Sequence, residues 1–255
     1  MACALEIENL TAGYADVAVV RDFSTRIDEG TVTTLIGGNG AGKSTLMRAI
    51  FGTCRWFSGS ITYKGTRVER SQPWDRLRMG IGFVPQGRCN FASMSVEENI
   101  KMACYTLPAA GHASAKQRLL DLFPVLRPKL GVVAGNLSGG EQQMLETAMV
   151  MALEPGLLLL DEPSLGLSPL MQRDVFDMAR GLARRGVTVL MVEQNVHGAL
   201  QASDRAIVLE LGRKFTEGPA AEVLHDPRIR RAYLGGNLES AAGPGDGQLQ
   251  HEVRA

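Results

Sequence analysis

The chain has 255 residues, of which 45% are hydrophobic and 21% are charged, a balance typical of a globular protein with a buried core. Lysine plus arginine equals aspartate plus glutamate at 27 each, which excludes a general electrostatic preference for nucleic acid, so we expect no nucleic-acid partner. Four cysteines without a C-x-x-C spacing argue against a zinc site, and no apolar run reaches the ~20 residues of a membrane-spanning helix.

The N-terminal part of the chain alternates strands with turns and contains one clear helix. LEIENLTAGY predicts a strand that turns at Gly13, FSTRIDEG predicts a second strand ending at Gly30, and TVTTLIG predicts a short buried strand. KSTLMRAIFG has apolar residues at helical spacing and ends at Gly52, so it predicts a helix. GSITYKGTRV then predicts a hairpin, and GIGFVPQ predicts a further strand.

The middle of the chain, from about residue 92 to about residue 153, predicts helices and loops, with SVEENIKMACYTL and AKQRLLDLFPVL as the most periodic stretches. From Gly156 onward, strands (GLLLLDEP, VTVLMVEQ) alternate with helices (PLMQRDVFDMARGLARRG, HGALQAS) before a final hairpin, RAIVLELGRKFTEG. Short apolar strands that alternate with helices indicate an α/β fold with a largely parallel sheet covered on both faces. Residues 236–255 are polar and glycine-rich and predict a disordered tail.

A phosphate-binding loop stands between a predicted strand and a predicted helix, because Gly37, Gly42, Lys43 and Ser44 satisfy the pattern G-x-x-x-x-G-K-[ST]. Glycines let backbone N–H groups converge on phosphate oxygens, the helix N-terminus adds partial positive charge, the lysine reaches the phosphates, and the hydroxyl can ligate Mg²⁺. A glycine turn that only happens to precede Lys-Ser is disfavoured by the flanking strand and helix. The expected cradle comprises Gly37, Gly38, Asn39, Gly40, Ala41, Gly42, Lys43, Ser44 and Thr45.

Asp161 and Glu162 end the apolar strand GLLLLDEP. Open α/β sheets bind ligands at the carboxyl ends of their parallel strands. Asp161 can hold Mg²⁺ there, directly or through water, and Glu162 can orient and deprotonate an attacking water. Alone, the two residues could be exposed strand-end charges, but the phosphate loop favours the catalytic interpretation.

A second candidate phosphate-binding segment, NLSGGEQQ, begins another predicted helix. Ser138 and Glu141 have the spacing of a capping box, and by itself that pair is best explained as a capped helix with nothing bound. Gly139 and Gly140 destabilise a helix, so their presence requires a reason, such as close approach of the backbone to a ligand.

Five motifs, in order along the chain, resemble those of ATP-binding cassette (ABC) proteins. GGNGAGKST resembles Walker A, VPQGR with Gln86 resembles the Q-loop, LSGGEQQ resembles the signature sequence, LLLLDE resembles Walker B, and SLGL (Ser164–Leu167) resembles the D-loop. Tyr14 stands where that family has an aromatic residue that stacks on adenine. The resemblance covers about residues 4–235, and five ordered motifs are more specific than any one of them.

The resemblance implies an α/β fold: a P-loop NTPase (RecA-like) core with a mixed, largely parallel sheet, an N-terminal antiparallel β subdomain and an inserted α-helical subdomain. A single ABC ATP-binding domain is expected over residues 4–235. Within it, the core with its β subdomain is expected over 4–90 and 156–235, and the helical signature subdomain over 91–155.

The resemblance also implies that two cassettes close head to tail around ATP, each nucleotide lying between Walker A of one cassette and the signature of the other. The γ-phosphate held by a second ABC ATPase subunit, a paralogue or a copy of this chain, would then contact Ser138, Gly139 and Gly140. The implied cofactors are ATP and Mg²⁺. The implied catalytic residues are Glu162, Gln86 and Gln194, and the implied metal ligands are Ser44, Gln86 and Asp161.

Gln194 departs from the commonest cassette pattern, which has a switch histidine at this position. A glutamine can hydrogen-bond the γ-phosphate but cannot take a proton near neutral pH. His197 is expected to be a surface or packing residue rather than a substitute. The departure makes Glu162 the better candidate for the general base.

VPQGR…MSVEENI, LSGGEQQML, DEPSLGLSPL and VEQNVHGAL, with AYLGG near the end, are similar to the ATP-binding subunits of branched-chain amino-acid uptake systems, in particular the second ATPase of the pair. This similarity implies two integral-membrane permease partners, indirectly a solute-binding protein, and a peripheral position at the cytoplasmic face of the inner membrane for a subunit that is soluble when isolated. Importers of urea or short-chain amides, with nearly the same motifs, are an alternative, as is a soluble cassette ATPase unconnected with transport. A small-molecule kinase would leave LSGGEQQ and Gln86 unexplained.

Overall fold

The computed structural model describes residues 2–233, so the predicted tail over 236–255 lies outside the described residues. The strands are β1 Cys3–Tyr14, β2 Val17–Asp28, β3 Val32–Ile36, β4 Arg55–Tyr63, β5 Thr66–Arg67, β6 Ile81–Val84, β7 Leu157–Asp161, β8 Thr188–Val192, β9 Arg205–Glu210 and β10 Arg213–Pro219. The α-helices are α1 Lys43–Phe51, α2 Pro73–Arg78, α3 Val96–Ala103, α4 His112–Leu122, α5 Gly139–Met151, α6 Pro169–Ala183, α7 Val196–Gln201, α8 Ala220–His225 and α9 Pro227–Tyr233. Within residues 2–233, no helix combines the length and the apolar character needed to cross a bilayer.

The strands form two sheets. An antiparallel sheet has the order β2-β1-β4-β5, and a six-stranded sheet has the order β10-β9-β3-β8-β7-β6. In the larger sheet the five strands from β9 to β6 run parallel, and β10 pairs antiparallel with β9. The predicted α/β fold with an N-terminal antiparallel sheet and a mixed, largely parallel sheet is therefore confirmed.

Strand β7 separates two hydrophobic cores. Leu157 and Leu159 contact the core formed with the antiparallel sheet and α1, whereas Leu158 and Leu160 contact the core formed with α3 to α6. All four leucines are buried, because successive side chains of a strand point to opposite faces and both faces of this sheet are covered. The helical segment thus packs on one face of the sheet that carries the phosphate loop, while its expected limits as a subdomain, 91–155, stay a prediction.

Two local features differ from the sequence pattern. The periodic stretch AKQRLLDLFPVL is not helical throughout, because α4 ends at Leu122 and a 3₁₀ helix begins at Pro124. A proline disfavours helical backbone at the residue before it, here Phe123. Helix α2 was not predicted, although Pro73 occupies its first turn, where proline is favoured.

The buried side chain of Arg76, in α2, links α2 to the C-terminal end of α1 by hydrogen bonds. Its guanidinium donates to the carbonyl oxygens of Ala49 at 2.6 Å and Ile50 at 2.7 Å, both in the last turn of α1. It also donates to the carbonyls of Glu69 at 3.0 Å and Ser71 at 3.2 Å. Burial lowers the pKa of Arg76. One side chain therefore satisfies carbonyl groups that the end of α1 leaves without helical partners.

We expect Arg76→Met to reduce the free energy of unfolding by at least about 2 kcal/mol, because it leaves several buried carbonyls without donors. Arg78→Met is the matched control: the Arg78 side chain is largely exposed, and its loss should change stability by less than about 0.5 kcal/mol. Urea unfolding of both variants measures the difference. Equal stability of the two would show that Arg76 does not hold α1.

Candidate functional site

The phosphate loop leaves β3, whose residues are all buried, and enters α1 through Gly42, which has a left-handed φ of 102°. The Lys43 side chain lies along the loop, and its ammonium donates to the carbonyl oxygens of Gly37 at 2.9 Å and Gly38 at 3.1 Å. Burial lowers the pKa of Lys43, and the nearby carboxylates of Glu162 and Asp161 oppose that shift. The ammonium is thus held at the loop by weak partners that phosphate oxygens can replace.

A cavity of ≈ 350 Å³ lies over this loop. It brings together much of the predicted site, being lined by Val19, Asn39, Gly40, Ala41, Gly42, Lys43, Ser44, Thr45, Gln86, Glu162 and Gln194. Tyr14, at the end of β1, is not among these residues; its ring is 40% exposed and its hydroxyl accepts a hydrogen bond from Arg48 of α1 at 3.0 Å. An exposed ring held at its hydroxyl is available for stacking on a base.

Asp161 and Ser44 form the part of the site that suits a divalent cation. The Ser44 hydroxyl donates to Asp161 Oδ1 at 3.0 Å, and burial raises the pKa of Asp161. Asp161 Oδ2 is buried and has no hydrogen-bond partner among residues 2–233. Because a buried carboxylate oxygen without a donor is costly, and because carboxylate and hydroxyl oxygens are hard ligands, these groups fit Mg²⁺.

The Glu162 carboxylate is held by two glutamine amides. Gln86 Nε2 donates to Glu162 Oε2 at 2.8 Å, and Gln194 Nε2 lies 2.9 Å from both carboxylate oxygens. Glu162 itself has a left-handed φ of 52°, a conformation that costs energy for a non-glycine residue and is common at functional sites. The three residues expected to be catalytic therefore meet at one carboxylate, which the two amides orient.

The segment LSGGEQQ begins α5 and forms the predicted capping box. The Glu141 backbone N–H donates to Ser138 Oγ at 3.4 Å, and the Glu141 carboxylate accepts from the Ser138 N–H at 2.9 Å. Its residues do not line the phosphate-loop cavity. Gly139 instead lines a separate cavity of ≈ 550 Å³, together with Gln86, Glu162 and residues of the segment 165–167.

The two glycines of this segment have a packing reason within the chain itself. A Cβ at Gly139 would lie 2.7 Å from a methyl of Leu167, and a Cβ at Gly140 would lie 3.2 Å from Cβ of Met171. The N-terminus of α5 therefore packs so closely against the segment after β7 and the start of α6 that a Cβ at either glycine would require Leu167 or Met171 to shift. Close packing within the chain is thus one reason for small residues here, a reason that the sequence alone did not suggest.

Two buried carboxylates near the site were missed by the sequence analysis. Glu193 follows β8, and burial raises its pKa to about 7 while hydrogen bonds from Ser164 oppose the shift. Glu146 of α5 accepts from the Cys89 N–H at 3.0 Å and from Asn90 Nδ2 at 2.7 Å, which ties the segment after Gln86 to α5. The sequence could have identified Glu193, because it is an acid at the end of an apolar strand, as Asp161 is. No comparable sequence pattern marks Glu146. His197 is exposed, and among residues 2–233 its one side-chain hydrogen bond joins it to Gln201, as expected of a surface residue.

Known proteins resemble this chain over nearly its whole length. A family model described as ABC transporter matches residues 20–165. The chain is 40% identical over 232 residues to the high-affinity branched-chain amino acid transport ATP-binding protein BraG of Pseudomonas aeruginosa, covering 91% of this chain and 100% of that protein. It is 38% identical to the probable branched-chain amino acid transport ATP-binding protein LivF of Archaeoglobus fulgidus, covering 91% and 98%.

Among solved structures, the ADP conformation of MJ1267, an ATP-binding cassette of an ABC transporter, matches with a TM-score of 0.80 and 25% identity. The match covers 92% of this chain and 100% of that chain. The described residues therefore have the complete architecture of such a cassette.

We expect Gly37→Ala to distort the phosphate loop, because a Cβ there would lie 2.3 Å from the carbonyl oxygen of Leu209 in the neighbouring strand β9. Gly38→Ala is the matched control, since a Cβ at Gly38 meets no atom within 4 Å. Gly37→Ala should lower Tm by several degrees, corresponding to about 1–3 kcal/mol, and Gly38→Ala should leave Tm nearly unchanged. Thermal unfolding without nucleotide measures both, and similar Tm values for the two variants would contradict the packing argument.

Proposed function

This chain belongs to the ABC transporter family, and we propose that it hydrolyses ATP to drive the uptake of branched-chain or other hydrophobic amino acids. The observation that carries the substrate class is the 40% identity to a branched-chain amino acid transport ATP-binding protein over that protein's whole length. We further propose that the chain works at the cytoplasmic face of the membrane, bound to two permease subunits that receive the solute from a binding protein.

The phosphate loop and Lys43 bind the phosphates of ATP, and Tyr14 stacks on the adenine. Mg²⁺, when bound, would neutralise charge on the phosphates, and Ser44, Asp161 and Gln86 are the residues that would hold it. The unpaired buried oxygen of Asp161 supports this assignment. Gln86 Nε2 donates to Glu162 at 2.8 Å, so the amide oxygen of Gln86 is the atom that would ligate the metal.

Glu162 orients the attacking water and takes its proton. Its position at the edge of the phosphate-loop cavity supports this role, as does the absence of a histidine at position 194. Gln194 can hydrogen-bond the γ-phosphate or the carboxylate of Glu162 but cannot serve as the base near neutral pH.

A second cassette completes the site. In this chain the signature residues Ser138, Gly139 and Gly140 line no part of the phosphate-loop cavity, which supports a role toward ATP bound by another subunit. ATP then holds the two subunits together through its γ-phosphate, and hydrolysis releases them. The partner is either a paralogue or a second copy of this chain.

Uptake in proteoliposomes that contain the purified complex of this chain with its permeases and binding protein tests the proposed function. We expect ATP-dependent accumulation of radiolabelled leucine, and accumulation of urea but not leucine would overturn the substrate class. Complex that lacks this chain is the control for uptake that does not depend on it.

We expect Glu162→Gln to reduce ATP hydrolysis by about 10²–10⁴-fold, because the amide cannot accept the proton of the attacking water. ATP should still bind and should hold the cassettes together as a stable dimer in size-exclusion chromatography. Glu222→Gln, at an exposed position of α8, is the matched control and should keep wild-type turnover. Wild-type turnover in Glu162→Gln would remove this residue as the base.

Ser138→Arg tests the cross-subunit assignment. The added side chain should abolish hydrolysis by blocking the interface, while the affinity of the isolated chain for a fluorescent ATP analogue should stay within about twofold. Ser114→Arg, on the exposed side of α4, is the control for the added charge. A collapse of ATP affinity in isolated Ser138→Arg would mean that this serine binds nucleotide within its own chain.

A further inference from the structure

Glu193 is one of the most completely buried charged side chains near the site, with 1% of its surface exposed. Its carboxylate makes a two-point contact with one residue: the Ser164 backbone N–H donates to Oε1 at 2.9 Å, and the Ser164 hydroxyl donates to Oε2 at 2.7 Å. Burying a carboxylate is costly even when it is well bonded, and an apolar side chain would avoid that cost. The catalytic roles proposed above do not use this group.

The contact joins two segments that carry proposed site residues. Ser164 lies two residues after Glu162, and Glu193 immediately precedes Gln194. The parallel strands β7 and β8 pair up to Asp161 and Val192, and the Glu162 N–H donates to the Val192 carbonyl at 2.9 Å. Beyond that bond, the Glu193 N–H still donates to the Leu35 carbonyl of β3 at 3.4 Å, but among residues 2–233 no further backbone hydrogen bond joins the two segments to each other. Side-chain contacts therefore hold one segment against the other.

A second set of hydrogen bonds closes a ring around the same loop. Gln172 of α6 donates to the carbonyl oxygens of Ser164 at 3.4 Å and Leu167 at 3.2 Å, and its own amide oxygen accepts from Asn195 Nδ2 at 2.7 Å. The loop after Glu162 and the loop after Glu193 are therefore connected twice, once through Glu193 and once through Gln172. Such a closed, hydrogen-bonded arrangement restricts both loops more than either contact alone.

We infer that Glu193 is a positioning residue for ATP hydrolysis: its contact with Ser164 holds the segment that carries Glu162 in a fixed relation to the segment that carries Gln194. The inference rests on the proposed role of Glu162 as the base. Because proton transfer and attack by water depend on placement to well under 1 Å, loosening this contact should slow the chemical step without weakening the binding of ATP at the phosphate loop.

The test compares variants in the assembled transporter by steady-state ATPase kinetics. Glu193→Gln keeps the size of the side chain but replaces one acceptor oxygen by an amide nitrogen, so the Ser164 hydroxyl can no longer donate at that position and must turn to accept from the amide, which changes the geometry of the contact. We expect kcat to fall at least tenfold, with KM for ATP and the nucleotide affinity of the isolated chain within twofold of wild type. Ser164→Ala removes only the hydroxyl and should lower kcat several-fold, and adding it to Glu193→Gln should lower kcat little further. Glu222→Gln is the control.

The inference is overturned by a kcat for Glu193→Gln within twofold of wild type, by parallel losses of kcat and ATP affinity, or by fully additive effects in the double variant. If Glu193→Gln does not fold, Ser164→Ala alone tests the inference. A several-fold lower kcat at unchanged KM supports it, and an unchanged kcat overturns it. Turnover lost in Glu162→Gln but kept in Glu193→Gln would overturn this inference alone. Turnover kept in Glu162→Gln would overturn both it and the base assignment.

Discussion

The parallel pairing of β3, β8 and β7 is the constraint on which the rest of the structure depends. These strands are neighbours in the larger sheet, and their register aligns Leu35 with Val192 and Val192 with Asp161. The segments that follow the three strands, after Ile36, Asp161 and Val192, therefore leave the sheet along one edge. The phosphate loop, the acid pair and the Glu193–Gln194 pair come from sequence positions far apart, and this register alone brings them together.

The chemistry at that edge of the sheet depends on ionisable side chains that are partly buried. Burial raises the pKa of Asp161 and lowers that of Lys43, so the charged form of each group is less favourable here than in water and is stabilised by a nearby opposite charge. Phosphate and a divalent cation supply those charges together. Glu162 differs in that two amide donors, from Gln86 and Gln194, already hydrogen-bond to its carboxylate, and the same donors could instead bond to a phosphate oxygen. The site is thus arranged so that nucleotide can change the partners of its proposed base.

The packing of the signature segment links this site to the rest of the chain. Gly139 and Gly140 let the start of α5 approach Leu167 and Met171, in the segment between β7 and α6. Glu146, further along α5, holds Cys89 and Asn90 after the Q-loop. A movement of α5 would therefore displace both the segment after Gln86 and the loop after Glu162. This gives a physical path within one chain between the signature segment, which we propose faces a second cassette, and the residues of the phosphate-loop site.

The sequence by itself determined the short motifs of this protein. Gly37 to Thr45, Asp161 with Glu162, and the capping box at Ser138 were predictable because each depends on residue types at short spacing, and the α/β fold followed from apolar strands that alternate with helices. The tertiary structure alone decided which distant groups meet. Family resemblance implied catalytic roles for Glu162, Gln86 and Gln194, but the hydrogen bonds of both glutamines to Glu162 are seen only in the tertiary structure. Nothing in the local sequence indicates that Arg76 contacts α1 or that Glu193 contacts Ser164. Hydrogen bonds between residues far apart in sequence depend on how strands and helices pack.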